Sequence, residues 1–141
     1  MRSGNRFTSK AHALGMAHRV HCCTSCMHQQ SMTFDACPAC GVSGMRVYFR
    51  SRKELGRAMQ LILLQRAGKI SHLQFLPRFE LKVDGIKVCN YEADAQYRED
   101  GKTVIEDSKP SGEFMTDVAK FKIALFDAIH FRHGLKIKMV R

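Results

Sequence analysis

A chain of 141 residues with 45% hydrophobic content allows one globular domain with a real core and a small appendage. No apolar run reaches membrane-spanning length and the N-terminus lacks the apolar segment of a secretory signal, so the expected location is cytoplasmic, without a membrane partner. The formal net charge of +10 is uneven, with eight Lys/Arg against one acid in residues 1–53 and fifteen against twelve in residues 54–141. The first third is therefore an electrostatic footprint for a polyanion; charge alone fits DNA, RNA or an anionic surface, and nucleic acid is the expected partner.

Residues 1–19 show no sustained helical or strand period and read as a basic arm that orders on a phosphate backbone, or else as a tail that only aids solubility. Residues 20–49 hold two Cys-x-x-Cys pairs, Cys23/Cys26 and Cys37/Cys40, ten residues apart. Each pair forms a tight knuckle, and four thiolates complete a tetrahedron around Zn²⁺, which defines a small zinc ribbon. A redox dithiol and disulfides in a secreted protein are the alternatives. The stretch from Met27 to Ala36 is expected to be a short hairpin, and Gly41 suits a left-handed position after the second knuckle. Cys22 is a spare or partly buried thiol, and His21 and His28 are surface groups or phosphate contacts. A ribbon this small cannot fold without its ion. It also presents Arg46, Arg50, Arg52 and Lys53 for DNA binding.

Residues 50–141 form the remaining domain. Ser51-x-x-Glu54 is a capping box, and Leu55, Ala58, Met59, Ile62 and Leu63 make an apolar stripe ending at Ala67-Gly68. Leu73 to Val83 is extended and turns at Asp84-Gly85; Ile86 to Tyr97 and Lys102 to Lys109 continue the sheet, joined by a turn at Asp100-Gly101. Pro110-Ser111-Gly112 is a loop. A second helix begins near Thr116-Asp117, buries Val118, Phe121, Leu125 and Ile129, and ends at His133-Gly134. Lys120 and Lys122 lie off its stripe as phosphate contacts or solvated lysines. A last strand, Leu135 to Met139, returns parallel to the strand before the helix, giving α-β-β-β-α-β around a mixed sheet.

Antiparallel pairing about Asp100-Gly101 sets Asp94 opposite Asp107, close enough for two carboxylates to share one ion. Asp107 and Lys109 share a strand face. Carboxylates holding Mg²⁺ beside an ammonium suit phosphodiester hydrolysis, with the lysine orienting the attacking water or offsetting phosphoryl charge. On spacing alone, a solvent-facing hairpin with an ordinary Asp/Lys pair explains the same residues equally well.

From Phe49 onward the chain resembles the restriction-endonuclease-like nuclease superfamily. The resemblance is closest to a small phage-associated branch related to Holliday-junction resolving enzymes. It rests on Phe49-Arg50-Ser51-Arg52-Lys53-Glu54, Ala67-Gly68-Lys69-Ile70, Leu76-Pro77-Arg78-Phe79-Glu80-Leu81, Tyr91-Glu92-Ala93-Asp94-Ala95-Gln96-Tyr97 and Val104-Ile105-Glu106-Asp107-Ser108-Lys109. It implies an α/β fold with a mixed sheet and flanking helices, and assigns Glu54, Asp94 and Asp107 to a Mg²⁺ or Mn²⁺ ion and Lys109 to catalysis. Ala93 stands where the superfamily signature has proline, and Pro110 where this branch often has glycine. The expected function is a Mg²⁺-dependent endodeoxyribonuclease acting on branched DNA, and symmetric cutting would favour a homodimer. The alternative is a non-catalytic zinc-ribbon DNA-binding or transcription accessory protein.

Overall fold

The paired Cys-x-x-Cys motifs and the two Asp-Gly dipeptides shape the two β regions of the chain. In the computed structural model, which describes residues 20–108 and 116–140, the chain divides into two units, residues 1–62 and 63–141.

In the first unit, β1 (Val20–Cys23) is the central strand of three, flanked by β2 (Gln29–Gln30) and β3 (Arg46–Phe49). Both neighbours are antiparallel, and His21 pairs with Gln30 on one side and Tyr48 on the other. Strand alternation sends Val20, Cys22 and Phe49 to a buried face, which leaves the His21–Tyr48 row on the opposite one. Cys22, expected as a spare or partly buried thiol, is fully buried, a core residue of the ribbon. The stretch from Met27 to Ala36 does not fold as a hairpin by itself. Gln29 and Gln30 return to β1, and Ala36 bridges to Ser43. Each knuckle closes with its own short return, and residues 31–35 between them form no strand.

The helix α1 (Arg52–Arg66) starts as its capping box predicts: the Glu54 amide donates to Ser51 Oγ at 3.1 Å, and the Arg50 amide donates to Glu54 Oε2 at 3.2 Å. Its buried residues are Leu55, Ala58, Leu61 and Ile62, whereas Leu63 is exposed. The expected stripe is rotated by about one residue. Leu61-Ile62-Leu63-Leu64 is apolar all round, so helical spacing alone does not choose the inward face.

The second unit is built on one long, bent antiparallel ribbon. Strands β4 (Ser71–Phe75) and β5 (Arg78–Val83) form one arm; β6 (Ile86–Glu92) and β7 (Ala95–Glu99) form the other. Phe75 pairs with Ala95 and Arg78 with Glu92, so the register carries unchanged across the junction of the two halves. Between them the Leu76 amide donates to the Asp94 carbonyl at 3.0 Å and the Ala93 amide to the Pro77 carbonyl at 3.1 Å. The two arms therefore bend together. Pro77 has no N–H for a regular ladder, and Leu76 has a φ of 53°. The expected extended segment Leu73–Val83 and the expected strand Ile86–Tyr97 are accordingly each two strands, shared between two sheets.

Asp84-Gly85 and Asp100-Gly101 both have positive φ at each residue, the type I′ geometry that matches strand twist and that these dipeptides favour. The second turn leads into β8 (Lys102–Ser108). The helix α2 (Asp117–His130) follows, capped where Thr116 Oγ1 accepts from the Ala119 amide, and β9 (Ile137–Val140) then lies parallel to β8. The order β4-β7-β8-β9 makes a four-stranded sheet, with β5-β6 a separate pair. The fold is thus mixed α/β with several sheets, flanking helices and an N-terminal cysteine cluster.

Leu81, Tyr91, Ala93, Ile105, Phe126 and Ile137 form the core of this unit, with Ile123, Leu125 and Ile129 of α2 packed against it. Phe126 is fully buried, whereas Val118 and Phe121, expected in the stripe, are 63% and 55% exposed. The inward face of α2 is centred on Ile123, Phe126 and Ile129, whose spacing of three outcompetes the spacing of four read from Phe121, Leu125 and Ile129. Burying a Phe side chain contributes about 1.5–3 kcal/mol. Edge contact with Phe79, at a centroid distance of 5.1 Å, adds to that.

Candidate metal centre and carboxylate site

The Sγ atoms of Cys23, Cys26, Cys37 and Cys40 all lie within 4.8 Å of one another. Cys23 and Cys40 are 3.8 Å apart and Cys26 and Cys37 3.6 Å. A tetrahedron with metal–sulfur bonds of about 2.3 Å has edges of about 3.8 Å, so four thiolates at these separations fit Zn²⁺.

The two knuckles are near copies. The Met27 amide donates to the Cys23 carbonyl and the Gly41 amide to that of Cys37, while the Cys23 and Cys37 amides donate to His28 and Val42. Both Met27 and Gly41 are left-handed, at φ 66° and 74°. Gly41 was expected there; Met27 was not, because nothing about methionine signals a positive φ. Burial opposes ionisation of the Cys37 thiol, but the Cys40 and Ala39 amides and the neighbouring thiols outweigh it and bring its pKa to about 6. The His28 backbone lowers the pKa of Cys26, but burial and the neighbouring thiols outweigh it and push it up to about 12, so Cys26 keeps a proton that a bound cation would displace. Among the described residues, these four are the one set of three or more metal-ligating side chains that converges.

The second site is on β8. The ladder between β7 and β8 ends at Ala95 and Glu106; just beyond it the Asp94 amide donates to the Glu106 carbonyl at 3.0 Å, which brings Asp94 beside the end of β8. Asp94 sits at the bend of the long ribbon rather than in regular strand, and its Oδ2 accepts from the Ser108 amide at 2.5 Å. Asp107 is fully buried. Tyr91 donates its hydroxyl to Asp107 Oδ2. Burial first, then this bond and the charge of Asp107, raise the Tyr91 pKa far above the usual tyrosine range, so the phenol is a permanent donor.

The opposite face of β8 carries a second buried acid that the sequence reading left without a role. Glu106 is 1% exposed; it accepts from the Tyr97 hydroxyl at 2.6 Å and faces the Lys138 ammonium at 3.8 Å. Tyr91 and Tyr97 were the available signal, because a tyrosine in a core row needs a polar partner for its hydroxyl.

Glu54 belongs to the first unit, and its carboxylate is engaged at its own helix start. Lys109, Pro110-Ser111-Gly112 and the arm 1–19 lie outside the described residues. Arg46, Arg50, Arg52, Lys53 and Lys120 are exposed, and Lys122 is half-buried. Among the described residues, no helix is long and apolar enough to cross a membrane.

Fold and cysteine cluster together define a mixed α/β protein carrying a zinc-ribbon-like metal-binding motif. The chain belongs to the family described as Protein of unknown function (DUF1064), whose model matches residues 39–140. That match begins within the second knuckle, so Cys23, Cys26 and Cys37 lie before it. No curated protein and no solved structure matches the chain.

Proposed function

We propose that the chain is a Mg²⁺- or Mn²⁺-dependent endodeoxyribonuclease with a restriction-endonuclease-like core over residues 50–141, a zinc ribbon over 20–49 and a basic arm over 1–19. The observation that supports this most is the approach of Asp94 to the end of β8, where its carboxylate accepts from the Ser108 amide, next in the chain to the buried Asp107. Two adjacent carboxylates repel unless a cation sits between them or one takes up a proton. Their oxygens are hard donors of the kind Mg²⁺ prefers. The ion, when bound, supplies a polarised phosphate and a more acidic water.

The protein's part is to hold these groups in place. The Tyr91 hydroxyl fixes the rotamer of Asp107, and the Ser108 amide fixes that of Asp94. In this proposal Lys109, two residues beyond Asp107, orients the attacking water or offsets charge on the phosphoryl oxygens. Glu54 contributes a third carboxylate. Arg46, Arg50, Arg52, Lys53, Lys120 and Lys122 hold phosphates. A surface made of backbone contacts reads the path of strands rather than bases, so branched DNA such as a four-way junction is the proposed substrate. A homodimer would cut it symmetrically.

One observation favours the rival reading, a non-catalytic zinc-ribbon DNA-binding protein: Glu54 already serves as the helix cap. Cleavage mapping decides between them. A fixed four-way junction and its component duplexes are incubated with the protein and with Asp107→Asn, in Mg²⁺ and in EDTA. The nuclease reading expects Mg²⁺-dependent cuts near the branch point that Asp107→Asn removes while binding persists. Equal cutting by Asp107→Asn overturns the site, and absence of any cut by the parent protein favours the rival.

A further inference from the structure

The face of the ribbon sheet opposite Val20, Cys22 and Phe49 carries, beside the metal-ligating Cys23, a partly exposed row of side chains that lies outside the four-cysteine set. Gln30, His21 and Tyr48 lie in register across β2, β1 and β3. The His21 and Tyr48 rings are 4.9 Å apart at 40°. Arg46, on the same face of β3 two residues before Tyr48, reaches His21 Nδ1 with Nη1 at 2.8 Å.

Two rings and a guanidinium tie β1 to β3 in one row and keep part of their surface open to solvent. The buried face is already filled by Val20, Cys22 and Phe49, and the fourfold thiolate set closes the other end. Charge identifies the occupant. Residues 20–53 contain Arg46, Arg50, Arg52 and Lys53 against Asp35 alone, so an anionic partner fits and an acidic surface is absent. Aromatic faces beside backbone-binding cations are the arrangement by which single strands are held, because every base has a π-face and stacking is tolerant of sequence.

We propose that the His21–Tyr48–Arg46 row is a stacking platform for an unpaired stretch of DNA. This refines the proposed DNA reading: the ribbon senses strand opening, while the basic residues of both units hold phosphate irrespective of pairing.

The composition provides a direct readout. The chain has no tryptophan and three tyrosines, of which Tyr91 and Tyr97 are buried. Tyr48 is then the tyrosine positioned to report on a stacked base. The test uses the zinc-loaded full chain in Ca²⁺, titrated with oligo-dT and with a blunt duplex, following tyrosine emission and fluorescence anisotropy of labelled DNA. Oligo-dT is expected to quench tyrosine emission. Tyr48→Ala should weaken oligo-dT binding about tenfold and leave duplex binding within about twofold. Tyr48→Phe should keep the affinity while losing the quench, and His21→Ala should weaken oligo-dT binding to a smaller degree. Zinc content of each variant establishes that the ribbon is intact.

Equal losses on oligo-dT and duplex, or an unchanged oligo-dT affinity in zinc-loaded Tyr48→Ala, overturn the platform. Tyr48→Phe behaving like Tyr48→Ala also overturns it, since the hydroxyl rather than the ring would then make the contact. Cleavage by the same variants in Mg²⁺ keeps the two proposals apart. Failure of the platform leaves Asp107-dependent cutting in place, and failure of the nuclease reading leaves the oligo-dT binding difference in place.

Discussion

The ribbon and the C-terminal unit solve the same problem by different means. Residues 20–49 bury few large side chains, Val20 and Phe49 among them, and converge instead on four sulfurs. Residues 63–140 converge on Leu81, Tyr91, Ile105, Phe126 and Ile137, and tie two carboxylates to two tyrosines inside that packing. One region is gathered around a four-cysteine cluster that fits a metal ion, and the other around an apolar core that encloses two carboxylates. Stability and activity should therefore respond to different insults in the two regions.

The largest separation is expected from metal removal. Purified protein should carry one Zn²⁺ per chain, and chelation or Cys37→Ser should release it and unfold residues 20–49, because binding free energy in so small a module is folding free energy. Hydrogen exchange should show fast exchange across the ribbon and protected amides in β7 and β8. Loss of protection in β8 on chelation would break the comparison.

The converse is Phe126→Ala. A fully buried aromatic ring lost from the core costs about 3–5 kcal/mol, so thermal unfolding of the C-terminal unit should fall sharply while zinc content stays at one per chain. A change in zinc stoichiometry would mean that the two regions are not energetically separate.

A smaller effect sharpens the account of the buried carboxylates. Tyr97→Phe removes the hydroxyl that Glu106 accepts from, leaving Lys138 as its cation, and should destabilise by about 1–3 kcal/mol in denaturant unfolding. Tyr91 gives a pH signature. Its native pKa lies above that of the unfolded chain, so its contribution is complete below about pH 10, the ordinary tyrosine value, and declines above it, where the unfolded state releases a proton the native state keeps. Melting temperature should drop above that pH, and Tyr91→Phe should flatten the drop.

These residues also mark how far the sequence could be read. Asp84-Gly85 and Asp100-Gly101 were legible as turns because a dipeptide with two positive φ values leaves few alternatives, and the Asp100-Gly101 turn fixed the antiparallel pairing of β7 with β8. The knuckles were legible because four thiolates at that spacing have one natural geometry. The bend at Leu76-Pro77 and Ala93-Asp94 was not, since proline marks an interruption without saying that the opposite arm bends too. Helix faces were also misjudged: Leu61 and Phe126 are buried where Leu63 and Phe121 were expected, because apolar runs offer two inward faces and tertiary packing selects one. Tyr91 and Tyr97 looked like ordinary core aromatics. Their hydroxyl partners lie on a strand more than eight residues away, beyond any local pattern.

The order β4-β7-β8-β9 leaves β4 and β9 at the margins of the sheet among the described strands. A margin is a template for strand addition and so for fibre growth. Here the ladder of β4 is interrupted between Ser71 and Gln74, with His72 at a φ of 54°, so an incoming strand meets a kinked edge. On β9, Lys138 projects from the strand and Lys136 immediately precedes it, both exposed, placing positive charge along the other edge. The two outermost strands thus discourage polymerisation by different routes, and the strand bearing Asp107 keeps a partner on each side.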